Sequence, residues 1–331
     1  MRCAVVGAGA WGTALADLLA INGHDVTLWA FETDVVQAIN VQHENTRFLA
    51  GVPLAKTLVA SNDHASALTG AELVIYATPS HHLRAIARSG ASHVTSGAIL
   101  VVASKGIERG SLALMTDIVG REVPERAVVA LSGPTFAAEV ARRQPTAIVA
   151  ASSSADAAVR VQEALSNRTF RVYTHDDLIG VELGGSLKNV MAVATGILEG
   201  VGLGFNARAA LMTRGLAEMT RLGVALGAQP ATFAGLAGVG DLVLTCTGAL
   251  SRNRALGVEV GQGRTLDEAL AGKETVAEGV LTTASAVELA EREGVEMPIA
   301  EMVCRILFQG HPARRAAQEL MGRELRAEQD E

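Results

Sequence analysis

The first half of the chain alternates short apolar, β-branched runs with stretches of helical periodicity. Runs at 2–6, 26–30, 73–77, 99–103, 127–131, 146–151 and 169–173 are almost continuously apolar, as strands are when a parallel sheet is covered on both faces. Segments near 10–21, 33–40, 81–88, 111–120 and 156–166 read as the helices between them. Alternation of this kind predicts an α/β fold with a doubly wound sheet. From Thr174 onward the strand signal fades. Residues 207–226 then place Leu211, Met212, Gly215, Leu216, Met219, Leu222 and Leu226 on one helical face, and Arg208, Arg214, Glu218 and Arg221 mostly on the other. The pattern predicts an α/β domain over 1–174 and an all-α domain over 175–331.

Composition narrows this picture. A length of 331 residues suits two domains. Aromatic residues make up only 3%, so Ala, Val and Leu must fill the interior. The net charge of −7 provides no global field for nucleic acid or an anionic membrane, and any anionic ligand must be held locally. No uninterrupted apolar run approaches the ~20 residues of a membrane helix, so no integral membrane segment is expected. Met1 leads straight into the first apolar run, without the layout of a signal peptide. Cys3, Cys246 and Cys304 are odd in number and lack disulfide or metal-ligand spacing. Together these features predict a reducing cytoplasm and no metal site. Glycine, at 34 residues, is enriched, which raises the question of where the backbone must be approached closely.

One answer lies at Gly7-Ala8-Gly9-Ala10-Trp11-Gly12, which follows a predicted strand and opens a predicted helix. In that context G-x-G-x-x-G is a dinucleotide fingerprint: Gly7 permits the tight turn, Gly9 admits a pyrophosphate and Gly12 allows close helix–strand packing. The helix N-terminus would bind the diphosphate. Glu32, 20 residues beyond Gly12, stands near where an acid bonds a ribose 2′-hydroxyl, and no Arg or Lys adjoins it. That leans toward NAD and leaves NAD or NADP open. The later strand ends carry Thr78-Pro79-Ser80, Ser104-Lys105-Gly106 and Ser132-Gly133-Pro134-Thr135, at the edge where open α/β sheets bind ligands. Lys105 is therefore a ligand candidate.

In the second half, Thr174-His175-Asp176-Asp177 resembles a helix start, with a helix continuing to about Glu199. Gly184 and Gly185 inside it each cost about 1 kcal/mol relative to Ala and call for a compensating contact. Lys188 is directed back over them. Two readings are open: a small molecule approaches there and Lys188 is a general acid/base, or the helix packs tightly at its glycines and Lys188 reaches solvent. The run Gly235 to Gly240 leads to Asp241, with Thr245 one turn later, and Ser251 would cap a helix beginning Arg252-Asn253 and ending near Gly261. A helix N-terminus bearing an Arg is a ready phosphate site; the bland reading of Arg252 is a surface charge.

Together these motifs resemble the bacterial type of NAD(P)-dependent glycerol-3-phosphate dehydrogenase, over nearly the whole chain. The resemblance rests on the turn from Gly7, Ser104-Lys105-Gly106, Ser132 to Ala137, Gly184 to Val190, Gly238 to Thr247, Ser251-Arg252-Asn253 and Leu320 to Arg323. It implies a Rossmann-like domain followed by a helical domain like that of 6-phosphogluconate dehydrogenase. The implied reaction interconverts dihydroxyacetone phosphate and sn-glycerol 3-phosphate with NAD(P)H, for phospholipid synthesis. The implied catalytic set is Lys188, Asn189, Asp241 and Thr245. Substrate binding falls to Lys105, Gly133, Thr135, Lys188, Asp241, Ser251, Arg252 and Asn253. Cofactor contacts fall on Gly7, Gly9, Ala10, Trp11, Gly12, Phe31, Lys105, Ala137, Arg252, Val276 and Glu278. Phe31 departs from many relatives, which carry a basic or polar residue there. A homodimer through the helical domain is a further expectation.

Overall fold

The computed structural model of the protein describes residues 1–273, 277–325, 327 and 328. The chain divides into two compact units, Met1–Lys105 with Ala113–Glu182, and Gly106–Leu112 with Leu183–Glu331. The sequence pattern places the division at 174, where the strands end. The chain instead passes from one unit to the other inside a helix, at Glu182–Leu183, and residues 106–112 join the second unit.

The first unit holds one eight-stranded sheet of order β3-β2-β1-β4-β5-β6-β7-β8. The strands are β1 (Arg2–Val6), β2 (Asp25–Trp29), β3 (Val59–Ser61), β4 (Leu73–Tyr76), β5 (Ile99–Val102), β6 (Val128–Ser132), β7 (Thr146–Ala151) and β8 (Phe170–His175). Its helices are α1 (Ala10–Ile21), α2 (Thr33–Gln42), α3 (His64–Leu68), α4 (Ser80–Gly90), α5 (Met115–Glu122), α6 (Ala137–Ala141) and α7 (Ala155–Leu165). Side chains alternate across the sheet, as the two-residue period of a strand requires. Cys3, Val5, Leu73, Ile75, Val101 and Leu131 face the core beneath α1 and α7. Ala4, Val6, Val74, Tyr76, Leu100 and Val102 face the core beneath α4 and α5.

The first six strands are parallel, in the 3-2-1-4-5-6 order of the dinucleotide-binding fold. One reversal differs from the expected parallel alternation. β7 pairs antiparallel with β6, and β8, parallel to β7, keeps the reversed direction. Elements β3, α3 and α6, of three to five residues, are too short to show a period.

The second unit is helical: α8 (Leu178–Gly200), α9 (Phe205–Ala225), α10 (Pro230–Phe233), α11 (Asp241–Thr247), α12 (Arg252–Gly261), α13 (Leu266–Leu270), α14 (Glu278–Glu293), α15 (Pro298–Gln309) and α16 (Ala313–Met321). Thr174 and His175 belong to β8 and do not open α8; Asp177 caps it, accepting from Gly180 N at 2.8 Å. From Val181 to Ile197 every residue of α8 is buried, as befits a helix apolar nearly all round. Pro230–Thr247 is apolar and long enough to cross a membrane by length and composition. It is no continuous α-helix, because Gly238 takes a non-helical conformation between α10 and α11, and Asp241 lies within it, fully buried.

One face assignment needs correction. Glu218 is buried and does not lie on the solvated side of α9. Its carboxylate accepts from Ile299 N at 2.7 Å and Ala300 N at 3.2 Å, where α15 leaves N–H groups without helical partners.

Candidate active site

In the first unit, the fingerprint turn joins β1 to α1. Gly7 has φ +114°, and a Cβ there would lie 2.8 Å from Ala77 O. At Gly12 a Cβ would meet Gly7 O at 1.9 Å, whereas at Gly9 nothing lies within 4 Å. The turn is thus tight behind and open in front. Gly9 caps α1 without a side-chain bond, and the first turn of α1 has no acid, so its N-terminal N–H groups and dipole are available to an anion. Beside it lie two buried polar atoms without protein partners, Trp11 Nε1 and Thr78 Oγ1. An open glycine, a helix N-terminus without a side-chain cap and these two unpartnered atoms fit a dinucleotide diphosphate.

The neighbouring strand ends follow in order. Ser104 Oγ donates to Thr78 O at 2.6 Å, tying the chain after β5 to that after β4, and half-buried Lys105 comes next. Gly133, at φ +152°, follows β6, and a Cβ there would approach Ile148 Cα to 3.0 Å. Thr135 Oγ1 donates to Gly133 O at 3.2 Å, and Ala137 begins α6. Phe31 follows β2 and is 80% exposed. Glu32 stands at the N-cap position of α2 without a capping bond. The expectation that no basic residue is near this strand end does not hold in space, because Arg47 Nη1 comes to 3.8 Å from Asp34 Oδ2 on α2.

In the second unit, α8 and α11 bring Lys188 and Asp241 together. Both are buried, and Lys188 Nζ donates to Asp241 Oδ1. Thr245 Oγ1 donates to Asp241 O at 2.7 Å and lies 3.3 Å from its Oδ1. A second group adjoins in sequence: Asn253 Nδ2 donates to Asn189 Oδ1 at 2.9 Å, while Asn253 Oδ1 accepts from Gly279 N at 2.9 Å. Glu278, half-buried, begins α14 beside Gly279. Ser251 caps α12, accepting from Arg254 N at 3.3 Å, and leaves Arg252 exposed in the first turn. Val276 lies outside the described residues.

The structure decides what Gly184 does. A Cβ there would meet Ala237 O at 2.3 Å, so its bare backbone receives the glycine-rich strand of chain that delivers Asp241. It is a packing contact and not a landing place for a ligand. The same device recurs along α8. Added Cβ atoms at Gly196 and Gly200 would meet Arg254 O at 2.1 Å and Val258 O at 2.3 Å; at Gly257 and Gly261 they would meet Val193 O and Ile197 O at 2.2 and 2.3 Å. Two G-x-x-x-G pairs therefore let α8 and α12 touch along their backbones, which sets the distance between the helix of Lys188 and the helix of Arg252. Glu199 locks the pair, accepting from Arg254 Nε and Nη2 at 3.0 and 2.7 Å. The four-residue glycine spacing was visible in the sequence and is the signal that would have found this contact. Ser186, also missed, holds the Gly106 peptide, accepting from Gly106 N at 2.9 Å, two residues before Lys188 on α8.

A dinucleotide-binding sheet and a helical unit carrying a buried lysine–carboxylate pair define a nicotinamide-dependent dehydrogenase of the two-domain type. Residues 2–158 match the family described as NAD-dependent glycerol-3-phosphate dehydrogenase N-terminus, and residues 177–318 match the corresponding C-terminus. The chain belongs to this family. It is 54% identical over 330 residues to a glycerol-3-phosphate dehydrogenase [NAD(P)+] of Geobacter sp. (strain M21), covering 99% of this chain and 98% of that one. A relative of the same name in Myxococcus xanthus is 50% identical over 331 residues, 99% of either chain. The crystal structure of glycerol-3-phosphate dehydrogenase from Coxiella burnetii superposes with a TM-score of 0.93 at 40% identity, covering 97% of this chain and 99% of that one. The chain is accordingly an NAD(P)-dependent oxidoreductase that interconverts dihydroxyacetone phosphate and sn-glycerol 3-phosphate.

Proposed function

We propose that Lys188 is the proton donor and acceptor at the C2 oxygen of the substrate. The observation that carries this is the buried Lys188–Asp241 pair. A carboxylate bonded to Nζ offsets the cost of burying an ammonium and aims it, while Thr245 orients the carboxylate. A nicotinamide dinucleotide held at the turn from Gly7 to Gly12 would supply or take the hydride at C2. In the reducing direction Lys188 passes a proton to the oxygen that becomes the hydroxyl, and in the oxidising direction it takes that proton back.

Arg252 and the N-terminus of α12 grip the substrate phosphate, with Ser251 holding the turn. Asn253 uses one amide hydrogen on Asn189 and offers its second to the substrate. Lys105, Gly133 and Thr135 complete the substrate set; Gly7, Gly9, Ala10, Trp11, Gly12, Phe31, Lys105, Ala137, Arg252, Val276 and Glu278 hold the cofactor. Binding energy from the phosphate, remote from C2, positions the ketone. In this reading glycerol 3-phosphate feeds phospholipid synthesis in the cytoplasm.

Lys188→Ala is expected to lower kcat by roughly 10²–10⁴ while NADH binding, followed by fluorescence, stays as in the parent. Turnover like that of the parent would refute the role. The chain is also proposed to pair with a second copy through its helical unit, where Leu203, Phe205 and Met321 are exposed. Light scattering that gives a monomer mass counts against it.

A further inference from the structure

The dinucleotide turn contains no side chain that could hold its own shape, since Gly7, Ala8 and Gly9 offer only backbone. Its stiffness must come from elsewhere. Gly7 N donates to Trp29 O at 3.0 Å on β2, and Ala8 O is a second point at which the unit holds the turn: it accepts from Thr13 Oγ1 at 3.1 Å and from Asn45 Nδ2 at 2.8 Å. Asn45 Nδ2 also donates to Thr13 Oγ1 at 2.8 Å, which closes a triangle of three bonds. Thr13 and Asn45 are both fully buried.

Asn45 lies between the end of α2 and β3, 37 residues from Ala8, and is itself held. Its Oδ1 accepts from Phe48 N at 3.0 Å, and its own carbonyl accepts from Leu49 N at 3.0 Å. Ten residues on, Ala55 N donates to Asp17 Oδ1 at 2.7 Å, so the segment is fastened to α1 a second time. The amide of Asn45 uses both hydrogens and its oxygen in this arrangement. Aspartate, with the same shape, has no hydrogen to give and would set a charge against Ala8 O.

A trans peptide is planar, with its C=O and N–H pointing in opposite directions. Holding Ala8 O against Thr13 and Asn45 therefore turns Gly9 N–H away from them, and a Cβ on Gly9 would meet nothing within 4 Å. We propose that Asn45, acting with Thr13, is a positioning residue for cofactor binding: it fixes the Ala8–Gly9 peptide so that Gly9 N–H is aimed at the dinucleotide diphosphate before the cofactor arrives. Affinity for the diphosphate is gained because the turn needs no ordering on binding. The inference rests on the fingerprint turn holding the cofactor, as proposed above.

The test measures NADH affinity by fluorescence titration, together with steady-state kinetics, for the parent, Asn45→Ala, Thr13→Val and Thr13→Ser. Asn45→Ala and Thr13→Val are expected to raise the Kd and KM for NADH by about tenfold or more, with kcat at saturating NADH and KM for dihydroxyacetone phosphate within about threefold of the parent. Thr13→Ser, which keeps the hydroxyl, restores affinity. Competition separates positioning from general damage: ADP-ribose, which carries the diphosphate, weakens by the same factor as NADH, while adenosine does not. Should Asn45→Ala fail to fold, Thr13→Val decides. NADH affinity within about twofold of the parent in a folded variant, or equal weakening of adenosine and ADP-ribose, overturns the proposal. A parent protein whose NADH affinity is insensitive to Gly9→Val would instead overturn the placement of the cofactor on this turn.

Discussion

The turn after β1 and the centre around Lys188 both handle charge in buried surroundings, yet they are built from opposite materials. The first is mostly backbone, glycines and a helix N-terminus, with only the uncharged side chains of Trp11 and Thr78 beside it. The second is side chain: an ammonium, a carboxylate and two amides, already bonded to one another. On the proposed roles, the difference follows from what each would bind. A diphosphate is a fixed anion, which oriented N–H groups serve without a charged side chain. Giving and taking a proton calls for a titratable side chain. A chain of net charge −7 would in this way bind a dinucleotide and a phosphorylated substrate through local groups.

Glycine serves both regions, and the space around each one separates its uses. Gly9 has nothing within 4 Å of a Cβ position, while Gly12 and Gly257 have carbonyl oxygens at 1.9 and 2.2 Å. Crowding marks a packing glycine; open space at Gly9 leaves room for the diphosphate that is proposed to bind there. Gly12→Ala should give the largest effect. Its methyl must displace Gly7, and overpacking of roughly 1–3 kcal/mol, concentrated on the turn, would raise the NADH Kd by up to ~100-fold. Gly257→Ala pushes α12 from α8 instead. It should lower stability by roughly 1–3 kcal/mol in denaturant titration and weaken NADH far less than Gly12→Ala does. If Gly257→Ala weakened NADH as much as Gly12→Ala does, the two glycine roles would not be separable.

The same contrast explains what the sequence made legible. The fingerprint was readable because its glycines are local, six residues between a strand and a helix. The strands of the central sheet were readable because burial on both faces leaves unbroken apolar runs. Lys188, Asp241, Ser251 and Arg252 were each singled out as candidates, but the pairing of Lys188 with Asp241, 53 residues apart, is a tertiary fact. Glu218 was misplaced because helical periodicity assigns a carboxylate to solvent, and nothing near it in sequence announces the α15 N-terminus that it caps. At Gly184 the choice between a ligand and tight packing stayed open because its partner, Ala237 O, is equally distant. Thr174 was read as a cap because β8 runs almost directly into α8, with Asp176 and Asp177 between them.

The two units do share one device, a buried glutamate at the start of a helix, and this sets the smallest expected effect. Glu182 accepts from Thr116 N at 2.9 Å and Thr116 Oγ1 at 2.5 Å on α5; Glu218 does the same for α15. Burial pushes each carboxyl up to about 7 against the opposing pull of those bonds, with Asp117 adding to the rise at Glu182. An unfolded glutamate titrates near ~4.3, so between the two values the folded chain holds a proton that the unfolded chain has released. Stability tied to that proton is fully present below ~4.3, falls as pH rises, and is lost once pH passes the folded value. Glu182→Gln removes the titration and keeps the bonds, since its oxygen accepts from Thr116 N and its amide donates to Thr116 Oγ1. The drop in unfolding free energy between pH 5 and 8 should shrink by about 2 kcal/mol, read from denaturant melts at each pH. Glu218→Gln has one acceptor for two N–H groups, so it should also lose stability at pH 5. An unchanged pH slope in Glu182→Gln would mean that this carboxyl stays ionised in the fold, and that the first unit tolerates a buried charge there.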